Sequence, residues 1–399
     1  MPIETTSKGR VGDVLRTFTK LGFTSFGGPV AHIAYFHKEL VERKRWVSED
    51  QFSQLLAICQ FLPGPASSQL GFALGLLRAG WLGAIAAFVA FTLPSSLLLL
   101  AFASALSLLS GPVGQAAIHG LKLVAFAVVA DAVLGMSKKL CPDTLRRGIA
   151  LFSASALLLV SSAWSQIFVV LGGAAIGVLF CRESAGSTSY KIKVGYSRRV
   201  GVIIFSIFLC LLFLLSFAPT EAGIFSLAGA FYQAGALVFG GGHVVLPLLE
   251  DAVVNTGWIT KENFLAGYGA AQAIPGPMFA FSSYLGAIVP TGYNSGLGAT
   301  IALLFMFLPG FLLVAAVLPI WQRISDNPAA LNAIAGVNAA VVGLLGAALY
   351  DPIFISGVMS SFDLAVCIIA FGMLAVWCLS PLYVVIWCVA ASTMPLLIL

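Results

Sequence analysis

Apolar positions run through this chain in long blocks that no charged residue interrupts. Asp, Glu, Lys and Arg are all absent from 79–121, 148–181, 200–220, 222–249, 263–322, 327–350 and 364–399. A helix needs about 20 apolar residues to cross the hydrocarbon layer of a bilayer, so these blocks hold roughly ten spans and fill most of the chain. The alternating segments of about ten residues that a transmembrane barrel requires are not visible. The pattern predicts an all-α polytopic membrane protein. Apolar segments lie near 81–109, 112–137, 148–163 and 164–181, and again near 294–320, 329–350, 362–379 and 381–398. Four more, 14–37, 51–78, 224–249 and 262–290, are interrupted by glycine or proline and read as broken or re-entrant helices. Depending on how these count, the chain makes between about 9 and 13 crossings.

The interruptions recur. Phe18, Gly22, Phe26, Gly27 and Gly28 return at the same spacing as Phe231, Gly235, Phe239, Gly240 and Gly241. Downstream, Trp46, Phe52, Gln60, Pro63, Gly64 and Pro65 return as Trp258, Phe264, Gln272, Pro275, Gly276 and Pro277. Leu93-Pro94 corresponds to Leu308-Pro309, and Gly120 with Lys122 to Gly336 with Asn338. The chain therefore reads as a first repeat over 1–181, a connector over 182–223 and a second repeat over 224–399.

Charge orients these halves. Through residue 199 there are 19 Lys and Arg against 9 Asp and Glu; from 200 onward there are 2 against 7. The loop holding Lys38, Arg43, Lys44 and Arg45 has only Lys261 in its counterpart. The loop with Lys138, Lys139, Arg146 and Arg147 corresponds to one with Asp351 and Asp363 and no base. Basic loops stay cytoplasmic, so homologous loops are expected on opposite faces and the halves are expected to be inverted repeats. The connector fits: a basic loop with Arg182, Lys191, Lys193, Arg198 and Arg199, then one apolar helix over 200–218 that turns the second half over. Inverted repeats with broken helices are a transporter signature.

Composition narrows the function. With 59% hydrophobic and 9% charged residues, the chain is far from the ~25% charge of soluble domains, and a nucleic-acid partner is excluded. The seven cysteines are scattered without a C-x-x-C pair, so no metal or other cofactor is expected. Residues 1–13 are polar and precede a weakly apolar stretch carrying Arg16 and Lys20, so no cleavable leader is expected. No H-E-x-x-H motif or intramembrane aspartate pair supports an enzyme.

Glycines and prolines at membrane depth expose backbone, which survives there only where protein or a water-filled cavity satisfies it. The N-termini of broken helices also carry partial positive charge and bind anions. The candidate binding residues are therefore Gly27, Gly28, Gln60, Gly64, Ser67, Ser68, Gly240, Gly241, Gln272 and Gly276, with Ser282 and Ser283 less directly placed. Lys122, inside an apolar span with His119 one turn earlier, adds a buried positive charge. Arg78, Arg43 and Arg45 are entrance or gate candidates. Asp131 and His243 are proton-coupling candidates, ahead of His32 and His37.

The pattern F-G-G-P, W-V-x4-F and Q-x2-P-G-P, repeated after a basic linker, resembles the chromate ion transporter family in its long, two-domain form. The resemblance covers nearly the whole chain and departs at Gly242, where the first copy has Pro29. It implies export of chromate, a tetrahedral oxyanion close in shape to sulfate, across a bacterial cytoplasmic membrane, driven by the electrochemical gradient. The expected partners are chromate, sulfate as competitor or alternative substrate, the lipid bilayer and, as an option, a second copy in a homodimer. A channel, or a transporter for sulfate or another oxyanion, is the alternative reading.

Overall fold

Short helices that start and stop near the Gly and Pro motifs set the frame. The computed structural model describes residues 9–26, 28–106, 111–160, 163–182, 194–219, 221–238, 245–321 and 327–398. Helix α1 (Val11–Thr24) ends before the first Phe-Gly-Gly, and α2 (Gly28–Phe36) runs on into a π turn over His37–Arg43. Ser48 opens α3 (Glu49–Phe61) with a reciprocal cap: its hydroxyl accepts from the Gln51 amide, and the Gln51 side chain accepts from the Ser48 amide. The Pro63-Gly64-Pro65 turn follows, and α4 (Ala66–Ala105) leaves it.

Helix α4 is a hairpin. Ala79 and Gly80 leave helical geometry, with Gly80 at φ +67°. Gly75 and Gly83 then touch backbone to backbone, which eight residues of unbroken helix could not do. The first arm returns to where α1 began: the Gly9 amide donates to the Arg78 carbonyl at 3.0 Å. The Arg78 guanidinium and the Lys44 ammonium lie 5.3 and 5.8 Å from the Trp46 ring. The start of α1, the turn between α2 and α3, and the end of the first arm of α4 therefore meet at one edge. Helix α3 is 13 residues long, about 20 Å, short of the ~30 Å hydrocarbon layer. Chain that enters and leaves at one edge through such helices is re-entrant in shape.

Next come α5 (Pro112–Leu140), α6 (Thr144–Leu159), capped by Asp143, α7 (Ala163–Phe180) and the apolar α8 (Arg198–Leu215). The second half repeats the order. Helices α9 (Ile224–Leu237), α10 (Val245–Val253) and α11 (Lys261–Ala273), capped by Thr260, lead to the second Pro-Gly-Pro. A short 3-10 turn, Met278–Ala280, opens α12 (Phe281–Ile288), and α13 (Ser295–Val317), capped by Asn294, follows. The last elements are α14 (Pro328–Ala348), α15 (Ser361–Ala375) and α16 (Pro381–Ile398). The segment expected at 329–350 runs on beyond α14 through a π turn to Gly357. Among the described residues five helical stretches are long and apolar enough to cross a membrane: 66–105, 112–140, 198–215, 295–320 and 328–357. The protein is an all-α polytopic membrane protein.

The halves interlock reciprocally. Helix α5 of the first half packs on α15 and α16 of the second, and α14 of the second packs on α6 and α7 of the first. The contact points correspond. A side chain on Gly120 would lie 2.7 Å from Val389 Cα and the Cys388 carbonyl, and one on Gly336 would overlap the Gly173 carbonyl and sit 2.8 Å from Gly177 Cα. Glycine is required at both because two backbones touch there.

Candidate functional site

The two Pro-Gly-Pro turns bring the halves together at the centre of the fold. Gly64 and Gly276 hold φ of +121° and +105°, which favour glycine. The Gly64 amide donates to the Val238 carbonyl at 2.6 Å, and the Gly276 amide donates to the Ser25 carbonyl at 2.9 Å. Ser25 and Val238 stand one residue before the two Phe-Gly-Gly motifs. Each turn therefore seats on the glycine break of the opposite half. Each also rests on the opposite proline-kinked helix. A Cβ on Gly64 would be 2.9 Å from Gly310 Cα, and one on Gly276 would be 2.8 Å from Ser95 Oγ; these residues follow Pro309 and Pro94.

Beside the first turn the polar groups of the first half converge. Helix α4 starts at Ala66, and the first amide to find an intrahelical acceptor is that of Gln69, to the Pro65 carbonyl. The preceding amides are the open end of a half-helix, partially positive. Ser67 and Ser68 sit there, each 3% exposed. The imidazole of His32, 1% exposed, is held between Ser67 Oγ, 3.5 Å from Nδ1, and the Ser25 carbonyl, 3.2 Å from Nε2. Its ring meets Phe91 edge-on at 5.3 Å. Gln69 clamps the turn, donating to the Pro63 and Gly310 carbonyls at 2.8 and 3.0 Å. The hydroxyls of Ser25 and Ser68 are buried without a hydrogen-bond partner, as is that of Thr92, which lines a groove with Leu93, Ser283 and Leu303. An orphaned buried hydroxyl costs about 1–3 kcal/mol, which a polar guest would relieve.

The second half is built differently at the corresponding end. Ser282 and Ser283 donate back to the Phe279 and Ala280 carbonyls at 2.8 and 2.7 Å. Ser283 Oγ also lies 3.3 Å from the Ser96 carbonyl of the first half, so its hydrogen is shared between its own helix and the other half. The junction is symmetric in its backbone and asymmetric in its donors, which lie with the first half.

The other sequence candidates scatter around this centre. Gln60 is exposed on α3, and Gln272 donates to Met278 Sδ at 3.3 Å. Gly28 holds φ +74° with open space around it. Lys122 is buried on α5, its backbone against Gly357, with Glu262 as the carboxylate in its field. His119, one turn earlier, pairs with Asp363 at 2.9 Å. Asp131 is half-buried with Lys138 as its charged neighbour. Arg78 lies at the edge with Trp46, Arg43 binds Glu39 at 2.9 Å beside Lys20, and Arg45 is exposed. Gly27, Gly240, Gly241 and His243 lie outside the described residues.

Ser25, Thr92 and the full weight of His32 were missed from sequence. Ser25 precedes the glycine break, and that adjacency was the available signal. A second cluster was missed too. Lys261 reaches Asp351 at 3.1 Å and Glu250 at 3.7 Å, and these residues, Asp251 and Asn255 line a cavity of about 170 Å³ with Gln166 of the first half. Burial raises the Glu250 carboxyl to about 7, against the opposing pull of Lys261.

Taken together, helices too apolar for water and two interlocked halves whose broken helices meet define a polytopic membrane protein. The chain belongs to the chromate transporter family, whose sequence pattern matches it twice, over residues 12–178 and 225–393. It is 30% identical over 338 residues to the probable chromate transport protein of Synechococcus elongatus, covering 83% of this chain and 81% of that one. The chromate transport proteins of Pseudomonas aeruginosa and Cupriavidus metallidurans are each 28% identical to it, over 84% and 86% of this chain and 79% and 85% of their own. No solved structure matches it.

Proposed function

We propose that this protein exports chromate across the bacterial cytoplasmic membrane, holding the anion where the two Pro-Gly-Pro turns cross. The observation that carries the reading is the junction itself. The open N-terminus of a half-helix and the partnerless buried hydroxyls of Ser25 and Ser68 lie beside the first turn, which suits an oxyanion bound by neutral donors. The binding set is Gly27, Gly28, Gln60, Gly64, Ser67, Ser68, Gly240, Gly241, Gln272 and Gly276, with Ser25 and Thr92 added. Lys122 offsets part of the dianion's charge from the side.

The halves are inverted repeats in this reading. The reciprocal contacts are those of a two-fold relation, and the opposite loop charges put its axis in the membrane plane. The full crossings are then the second arm of α4, α5, α6 and α7, the connector α8, and α13 to α16. The paired segments α1–α2, α3 with the first arm of α4, α9–α10 and α11–α12 are re-entrant. Direction follows from charge: Arg43, Lys44, Arg45 and Arg78 gather anions at the inner mouth, while Glu250, Asp251 and Asp351 discourage their return from outside. Cysteine labelling should therefore find 38–50, 138–147 and 182–199 in the cytoplasm, and 250–262 and 351–362 outside. Labelling of 38–50 and 250–262 from one side would remove the inversion.

The functional test is uptake of labelled chromate into everted vesicles, with sulfate as competitor and an uncoupler as control. Uptake should collapse with the gradient. Lys122→Gln should insert normally and lose most of the rate, Lys122→Arg should keep part, and Asn338→Ala should be milder because it removes no charge. Wild-type vesicles that take up sulfate and no chromate favour the alternative oxyanion. Flux that persists without a gradient favours a channel.

A further inference from the structure

The donor pattern around His32 gives it a role that the binding set does not. The Ser25 carbonyl can only accept, so Nε2 of the ring carries a hydrogen toward it. In the neutral ring Nδ1 is then a lone pair, and it faces the Ser67 hydroxyl. At 3.5 Å the Ser67 hydroxyl is placed to donate its one hydrogen to the ring, and in that arrangement its oxygen has only lone pairs for anything beside it. An oxyanion beside such an oxygen is repelled. A proton on Nδ1 reverses this bond. The ring then donates to Ser67 Oγ, the Ser67 hydrogen swings free to donate to the anion, and the site gains one positive charge. The groups facing the ring, Ser25 ahead of α2, Ser67 on the first arm of α4 and Phe91 on its second arm, are all uncharged. Among the described residues no carboxylate contacts the ring to hold such a proton in the anion's absence. Anion and proton therefore each strengthen the other's binding by linkage.

We propose that His32 takes up one proton when the oxyanion binds, so that the dianion is carried together with a proton through a Ser67 hydroxyl that the protonated ring turns toward it. The step is balanced: one proton leaves the aqueous phase for Nδ1, no covalent bond to the anion forms or breaks, and the loaded site carries one negative charge instead of two. This rests on the reading of the junction as the chromate site. It also makes the asymmetry of the halves intelligible. The position matching His32 is Val245, and the positions matching Ser67 and Ser68 are Phe279 and Ala280, which carry no hydroxyl.

The test is calorimetric chromate binding to the purified full-length protein, in buffers of different ionisation enthalpy, at a pH where the free anion is fully ionised. Wild type should take up about one proton per anion, and its affinity should fall by up to tenfold per pH unit on the alkaline side. His32→Gln, which keeps a donor toward Ser25 and an acceptor toward Ser67, should bind with no proton uptake and a flat pH profile. Ser67→Ala should lose affinity by about tenfold, the worth of one hydrogen bond to a charged group, and take up fewer protons than wild type. A purely structural histidine would leave the proton count unchanged. Binding by wild type without proton uptake, or a His32→Gln variant that keeps both uptake and slope, overturns the proposal. If His32→Gln does not fold, His32→Asn reads the same proton count, and proton uptake that it retains overturns the proposal. Wild type that binds neither chromate nor sulfate overturns the reading of the junction, and this proposal with it.

Discussion

Gly64→Val and Gly276→Val should each cut chromate transport by about a hundredfold or more in protein that still reaches the membrane. Insertion is governed by the apolarity of the spans, which a single valine in a turn does not alter. The turns themselves cannot take the side chain. At φ of +121° and +105° a β-branched residue is strained, by about 1–3 kcal/mol. The Cβ of residue 64 also meets Gln69 Nε2 at 2.7 Å and Gly310 Cα at 2.9 Å. Gln69 cannot swing aside without releasing the Pro63 and Gly310 carbonyls that it clamps. Relief must come from moving the turn off the opposite half, which breaks the Gly64–Val238 hydrogen bond and pulls the first turn of α4 away from His32 and Ser25. The mirror substitution pushes Ser95 and detaches Gly276 from the Ser25 carbonyl. Gly135→Val is the control, since nothing lies within 4 Å of its added carbon, and it should transport normally. Everted-vesicle uptake divided by immunoblotted protein reads all three. Wild-type rates in Gly64→Val would reduce these turns to linkers.

Gly120→Val and Gly336→Val should act earlier, on assembly. At each position a helix of one half lies backbone to backbone on a helix of the other. Helices in a membrane gain little from apolar burial against each other, because lipid is as apolar as a side chain; close packing drives their association. Wedging a valine into such a contact costs typically 1–3 kcal/mol and more where backbone cannot move. Gly336 touches two glycines of α7, Gly173 and Gly177, so its variant should be the more severe. The expected result is a large loss of monodisperse protein in detergent and a lower melting temperature for the remainder. Gly346→Val, on the same helix with open space around it, should behave as wild type. Equal yields and melting temperatures for Gly336→Val and Gly346→Val would sink the account of interlocked halves.

The class of the protein and the places where its helices break were legible in the sequence. Uncharged blocks need no tertiary knowledge to be read as membrane-buried, because the cost of burying charge in lipid is local to each residue. Gly28, Gly64 and Gly276 announced their breaks because positive φ is a property of the residue's own backbone. Which groups meet at the breaks was decided only in three dimensions. Helices inside a bilayer are apolar all round, so periodicity does not mark an inward face as it does in a soluble protein. The Gly64–Val238 and Gly276–Ser25 bonds join residues far apart in the chain and belong to the packing of one half on the other. Ser25 and His32 gained their place at the junction through those bonds. Ser282 and Ser283 stand three residues further beyond their Pro-Gly-Pro than Ser67 and Ser68 do, and they donate to carbonyls of the 3-10 turn that opens their helix, Ser283 also lying 3.3 Å from the Ser96 carbonyl. A hydroxyl's partner depends on where backbone carbonyls lie within about 3 Å of it, and that distance is fixed by the folded chain.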